Sequence, residues 1–182
     1  MPTEKFKAMV HYIVASCKEP QRLGATRLNK ICWYSDTFSY RLRGVPITGE
    51  TYVKRQHGPV PKSILHTVRQ LEDEGKIHVR DHHILPSHKM RMFVALEDAD
   101  TSSFKPEELQ IIDFVAEQVC DNHSAVSISE LSHDVIWDAA NDGEEIPLAA
   151  TLVASPAVPR EEIIAWTKRV IDKAEAAKRT AA

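Results

Sequence analysis

The chain has 182 residues, of which 43% are hydrophobic and 27% charged, and its formal net charge is -3. These values are typical of a globular protein, and ten prolines with six glycines exclude a fibrous or low-complexity chain. No apolar run approaches the roughly 20 residues that a membrane-spanning helix needs, and the polar N-terminus lacks the apolar core of a signal peptide. We therefore expect a cytoplasmic protein with no membrane partner.

The charges are distributed unevenly along the chain. Residues 1–96 carry 16 Lys and Arg against 8 Asp and Glu, whereas residues 97–145 alone carry 14 acidic groups. Such an asymmetry indicates a nucleic-acid-binding face, a charged protein partner, or two halves that attract one another within the fold. The sequence alone leaves all three interpretations open.

The first half is predicted to contain three helices. Apolar residues recur every three or four positions from Thr3 to Lys18, and Thr3 is a suitable N-cap. A second helix is expected over about residues 25–43 and a third from Pro61 to Gly75, because glycine favours the left-handed conformation that ends a helix. Between them lie a turn, a short strand at 52–54 and a rigid loop over 57–61.

A β-hairpin is predicted next, from strands at 77–79 and 90–96 joined by a polar link. The order of helix, turn, helix and hairpin is that of a winged helix. Downstream, Pro106 opens a helix to about Cys120, and Ser127 and Glu130 have the spacing of a capping box before a short helix through Trp137. A loop over 146–159 and a final helix over 160–179 complete the prediction of an α+β, predominantly α-helical fold.

A search for catalytic motifs finds none. The chain contains no phosphate-binding Gly-rich loop, no nucleophile elbow and no His-Glu-x-x-His sequence. Four histidines of the predicted hairpin are of a type that binds divalent metals, but no fixed spacing or neighbouring cysteine completes a site, and we interpret them as solvated side chains: His78, His82, His83 and His88. We predict no enzymatic activity, no cofactor and no metal.

Three ordered motifs carry a resemblance to a known family. They are Leu-Asn-Lys-Ile-Cys-Trp-Tyr-Ser-Asp at 28–36, Gly-Val-Pro-Ile-Thr-Gly at 44–49, and His-Gly-Pro-Val-Pro at 57–61. Further along, Leu-Ser-His at 131–133 is followed by Trp137. Together they resemble the Panacea domain of the SocA-like antitoxins. The likeness covers most of residues 5–150, with mild departures such as Trp33 where Tyr is usual and Ser35 where Ala is usual.

The resemblance implies an antitoxin of a bacterial or prophage toxin–antitoxin system that neutralises a cognate toxin protein by direct binding. A further role as an adaptor to a protease is compatible with it. It implies a Panacea domain over 1–150, with residues 151–182 as a loop and helix packed on it. The motif residues that it marks as partner-binding candidates are Asn29, Tyr34, Asp36, Tyr40, Pro46, Gly49, His57, Gly58, Pro59, His133 and Trp137.

Physical chemistry gives these residues two alternative roles. The prolines fix backbone dihedrals and the glycines permit tight bends, so the loops form a preorganised surface whose binding costs little ordering entropy. The aromatic residues anchor interfaces when partly exposed, but they equally serve as core. A rival function is a winged-helix-like DNA-binding transcriptional regulator, indicated by the helix order and the basic first half.

Overall fold

A computed structural model describes the backbone of residues 3–85 and 88–152 and the side chains of 3–81 and 90–152. Within these ranges the helices are α1 (Glu4–Ser16), α2 (Pro20–Arg43), α3 (Ile64–Asp73), α4 (Pro106–Asn122), α5 (Ala125–Leu131) and α6 (Val135–Ala139). The strands are β1 (Tyr52–Arg55), β2 (Gly58–Pro61), β3 (Ile77–Leu85) and β4 (His88–Ala95), and a 3₁₀-helix spans Leu148–Leu152. The predicted α+β, mainly helical class is confirmed.

Helix α2 is the centre of the fold. It contacts α1, α4, α5, β2, β4 and the 3₁₀-helix. Its buried face includes Leu28, Ile31, Cys32 and Trp33, all at most 3% exposed. The helix kinks at Gly24, whose φ of 57° is outside the helical range, so the regular part begins at about the predicted residue. A 24-residue helix covered on several sides therefore supplies most of the surface on which the other elements pack.

The predicted start of the first helix and the predicted end of the second are confirmed. The Thr3 side chain accepts a hydrogen bond from the Phe6 amide at 3.1 Å, as an N-cap residue does. Gly44 is left-handed, with φ at 74°, and its N–H donates to the Tyr40 carbonyl at 2.8 Å. Local sequence signals thus fix where α1 begins and where α2 ends.

Two separate two-stranded antiparallel sheets replace the single predicted hairpin. Pairing of β3 with β4 extends the predicted wing hairpin almost to its tip. The other sheet pairs β1 with β2, so the prediction of a loop over 57–61 was wrong for residues 58–61. Prolines fit β2 because it is an edge strand, where a missing N–H donor costs little. On the other side of β1, the Lys54 amide donates to the Glu144 carbonyl at 2.9 Å.

The predicted capping box at Ser127 and Glu130 was also wrong. Ser124 is the N-cap of α5 and exchanges hydrogen bonds with Ser127, three residues later. Asp134 then starts a separate helix, α6, by accepting from the amides of Ile136 and Trp137. Serines and aspartates are frequent in this stretch, so the sequence offered several overlapping caps. The predicted final helix over 160–179 lies outside the described residues.

Part of the charge asymmetry is balanced within the molecule. Among the described side chains, five ion pairs join the basic half to the acidic half: Lys5–Glu108, Arg43–Glu108, Arg22–Asp121, Arg55–Asp142 and Lys62–Glu145. Glu108 is 3% exposed and is held between two cations. The interpretation that the two halves attract one another accounts for these contacts. In the described part of the chain, no helix is long and apolar enough to cross a membrane.

Candidate functional site

Three motifs that are far apart in sequence meet at Gly58. The Gly58 φ is +96°, and a Cβ added there would lie 2.2 Å from Lys30 Nζ and 2.1 Å from Ser132 Oγ. Lys30 belongs to the first motif on α2, Gly58 to the third on β2, and Ser132 to the Leu-Ser-His motif after α5. Only glycine combines this backbone conformation with so close an approach of two side chains.

Lys30 is the buried charge-bearing group at this meeting point. Only 1% of the residue is exposed, and Nζ donates a hydrogen bond to the Pro59 carbonyl at 3.2 Å. Burial lowers the pKa of the Lys30 amine to about 7, because the charged form loses its hydration. Among the described side chains, no carboxylate forms an ion pair with it. The amine is therefore poised between its neutral and charged forms near physiological pH.

Asp36 holds the second motif against α2. It is fully buried and accepts hydrogen bonds from the Thr48 amide at 2.8 Å, from the Thr48 hydroxyl, and from the Tyr52 hydroxyl at 2.8 Å. Burial raises the pKa of the Asp36 carboxyl, and the hydrogen bonds from Thr48 and Tyr52 oppose that rise. The carboxylate thus fixes the turn over 44–49 from inside the protein.

The fourth motif packs on β1 through Trp137, whose ring also stacks on His133 within the motif. The rings of His133 and Trp137 lie 3.8 Å apart between centroids and only 11° from parallel. The indole N–H of Trp137 donates to the Arg55 carbonyl at 3.1 Å, and Lys54 Nζ lies 4.0 Å from the indole centroid, within the range of a cation–π interaction. These contacts attach α5 and α6 to the sheet that carries Gly58.

Two clefts open beside the meeting point, and both include Ala25 and Asn29 in their walls. The first, here called the motif cleft, has a volume of about 450 Å³ and is lined by polar groups that include Thr26, Asn29, Lys30, Arg55, Gln56, His57 and Asp142. The second, here called the apolar cleft, has a similar volume and lies between α2, α3 and the β3–β4 hairpin. Its walls contain charged residues and the apolar side chains of Leu28, Ile64, Leu65, Val68 and Phe93. They share Ala25 and Asn29 and therefore lie side by side along the first half of α2.

The predicted partner-binding residues divide by exposure. Asp36, Gly58 and Pro59 are buried, so they shape the surface without forming it. Gly49 and His57 are exposed, and the remaining six are half-buried: Asn29, Tyr34, Tyr40, Pro46, His133 and Trp137. Of the eleven, only Asn29 and His57 line the motif cleft. A partner-binding role for the others stays a prediction.

Two of these half-buried residues have polar atoms without a partner. The Tyr34 hydroxyl and His133 Nε2 are buried and make no hydrogen bond within the described residues. Burial raises the pKa of Tyr34, with the negative charge of Asp134 as the smaller cause. Buried polar atoms of this kind cost free energy unless water or a ligand satisfies them.

The candidate list omitted three residues that the structure places at the site: Lys30, Arg55 and Ser132. Lys30 and Ser132 stand inside the quoted motifs, which was the available signal, but a lysine in a helix is usually solvent-exposed. Arg55 lies just outside a motif. Among the described side chains no group of three His, Cys, Asp or Glu could hold a metal ion, and the side chains of His82, His83 and His88 lie outside that part.

Residues 28–138 match the family model described as antitoxin SocA-like, Panacea domain. The match spans more than half of the chain and contains all four motifs. This chain belongs to the SocA-like Panacea domain family. No curated protein and no solved structure matches it. The matched range begins at Leu28, the first motif residue of α2, and ends at Asp138, so every side chain that meets at Gly58 belongs to the family domain.

Proposed function

We propose that this Panacea domain protein is the antitoxin of a bacterial or prophage toxin–antitoxin system and neutralises a cognate toxin by direct binding. The observation that carries the proposal is the family match over residues 28–138, which contains motifs that converge at Gly58. The protein acts by masking a surface of its partner rather than by catalysis. It works in the cytoplasm, and a role in presenting the bound toxin to a protease is part of the same proposal.

The toxin-binding surface that we propose is the pair of clefts along the start of α2. Apolar floors with a few polar groups are typical of binding sites, and the apolar cleft places Leu65, 62% exposed, beside the buried Ile64 and Val68. The motif cleft adds hydrogen-bonding groups from Asn29 and His57. Because the loop that bears His57 is anchored through Gly58 and Pro59, it would lose little entropy on binding.

DNA binding gains less support from this arrangement. A regulator needs unpaired cations facing the phosphates, yet Arg22, Arg43, Arg55 and Lys62 each pair with a carboxylate of the same chain. Helix α3 precedes the wing hairpin, but its exposed residues include Glu72 and Asp73 beside Arg69. The winged-helix regulator stays an alternative prediction, which a salt-dependent complex with the protein's own promoter would support.

The test is a growth-rescue assay followed by a pull-down. The reading frame adjacent to this gene is expressed alone, with the wild-type protein, and with an Asn29→Ala/His57→Ala double variant. We expect the neighbour to be toxic when expressed alone, and the wild-type protein to rescue growth and form a stable complex with it. The double variant should bind at least tenfold more weakly, because each lost interface anchor is worth about 1–2 kcal/mol.

His66→Ala is the matched control, because His66 is exposed on α3 and lines neither cleft. It should rescue growth like the wild type. A neighbour that is not toxic, or that is rescued without forming a complex, contradicts the antitoxin proposal. Equal binding by the double variant and by the control would instead reject only the proposed surface.

A further inference from the structure

Lys30 is a buried amine that forms no ion pair with any carboxylate in the described part of the chain. Its side chain is almost wholly withdrawn from water, and its single hydrogen bond goes to a neutral carbonyl, that of Pro59. An ammonium group has three N–H donors, and taking such an ion out of water costs several kcal/mol unless an opposite charge offsets the loss. The fold retains this cost at the point where its motifs meet.

The charges around Lys30 leave one positive charge to be matched. In the walls of the motif cleft, Arg55 is paired with Asp142 at 3.2 Å. Lys30 lines the same cleft and has no such partner among the described side chains. The Asp36 carboxylate, further along α2, is occupied by Thr48 and Tyr52. A ligand with a single negative charge would balance the cleft.

Neutral hydrogen-bond donors line the cleft beside this cation. The half-buried side chains of Thr26 and Asn29 project from α2, and the exposed Gln56 and His57 face them from the β1–β2 turn. Hydroxyl, amide and imidazole groups each donate hydrogen bonds to an oxyanion. We propose that the motif cleft binds a carboxylate group, with Lys30 as its counter-ion and Asn29 and Thr26 as hydrogen-bond donors.

A carboxylate fits this cleft better than a phosphate. Phosphate groups carry close to two negative charges at neutral pH and are usually bound by several cations or a bidentate arginine. Here one cation is unmatched, and Arg55 is already engaged by Asp142. The proposal concerns the cleft itself and does not depend on the toxin-binding proposal. An acidic side chain of a protein partner and a small carboxylic acid share the required chemistry.

Binding should be linked to proton uptake. Burial alone lowers the pKa of the Lys30 amine to about 7, so much of it is neutral above that pH. A bound carboxylate favours the charged amine and raises that pKa again. By linkage, affinity for the carboxylate should fall as the pH rises from 7 to 9, up to about tenfold per pH unit, whereas an ordinary exposed lysine would show no such fall.

Acetate is the first probe. The Cε–H resonance of Lys30, assigned by its loss in Lys30→Met, is followed by NMR at pH 8 during titration with acetate, at constant ionic strength set by chloride. We expect a saturable shift toward the protonated position with acetate and none with acetamide, which has the same shape without the charge. The exposed Lys62 serves as the internal control. No movement of Lys30, or an equal movement of Lys62, overturns the proposal.

Two further experiments identify the source of the carboxylate and test the site with a variant that should remain folded. The peptide acetyl-Gly-Glu-Gly-amide is compared with its Gln counterpart: binding of the Glu peptide alone indicates a partner's side chain, whereas binding of acetate alone indicates a small carboxylic acid. Asn29→Ala, a partly exposed site, should weaken acetate binding severalfold without unfolding the protein. Unchanged acetate affinity in Asn29→Ala would reject the site.

Discussion

The motifs of this Panacea domain protein divide into a buried group and an open rim, and the two make different demands on sequence. In the buried group, Lys30 and Ser132 approach Gly58 so closely that a Cβ at position 58 would not fit. On the rim, Asn29 and His57 line an open cleft with few neighbours. Motif residues therefore need not be contact residues: one group builds the surface, and the other presents it.

The largest effect is expected for Gly58→Ala, which tests the buried group. The new Cβ would meet Lys30 Nζ and Ser132 Oγ at 2.2 and 2.1 Å, at a φ of +96° that side chains rarely adopt. We expect a loss of about 2–5 kcal/mol in the free energy of unfolding, from overpacking and backbone strain together. Urea denaturation measures it. Gly49→Ala is the control, since φ there is +69° but the space is open, and a loss as large as for Gly58→Ala would refute the crowding argument.

Asp36→Asn tests the other buried anchor. An amide keeps one acceptor oxygen but turns an NH₂ group toward the donors of Thr48 and Tyr52, which leaves buried groups unsatisfied. We expect a loss of about 1–3 kcal/mol in the free energy of unfolding. Thr48→Ser, which retains the hydroxyl, should cost much less. Similar losses in the two variants would show that packing, not the carboxylate, holds the turn.

The pH dependence of stability sharpens the role of Lys30. The pKa of its amine is lowered to about 7 in the folded state from a usual 10.5, so the unfolded chain binds the proton more tightly. Stability should therefore rise between pH 7 and 10, by about 1.4 kcal/mol per unit at most, and stay at its lower level below pH 7. The slope should disappear in Lys30→Met. Identical slopes in the two proteins, measured by urea denaturation at pH 7.5 and 9, contradict the buried-amine assignment.

Trp137→Phe gives the smallest expected effect. Phenylalanine keeps an aromatic ring for the stack on His133 but removes the indole N–H that donates to the Arg55 carbonyl at 3.1 Å. The expected loss is about 1 kcal/mol in the free energy of unfolding. Thermal unfolding measures it. For comparison, Trp33→Phe gives the loss of stability when a fully packed indole is replaced by a smaller ring. A neutral Trp137→Phe would mean that the hydrogen bond to Arg55 is not needed to hold α6 against the sheet.

Local signals in the sequence were enough for most elements. The 3.6-residue periodicity located α1, α2, α3 and α4, and the Thr3 and Gly44 caps were confirmed because a cap depends on a few neighbouring residues. Strand β2 was missed because two of its four residues are prolines, which are rare in central strands and acceptable at an edge. Whether a strand is an edge depends on pairing, which the local sequence does not record.

The class of fold, the order of the main helices and, through the motifs, the family could all be predicted from local sequence. Which motif residues face the interior depends on long-range packing. A helix turns 100° per residue, so the neighbours Asn29 and Lys30 face different surroundings, and what covers each face comes from β2 and the segment after α5, tens of residues away. Charge was decided in the same way: the basic and acidic halves look like two separate surfaces in the sequence, but folding brings them together as ion pairs.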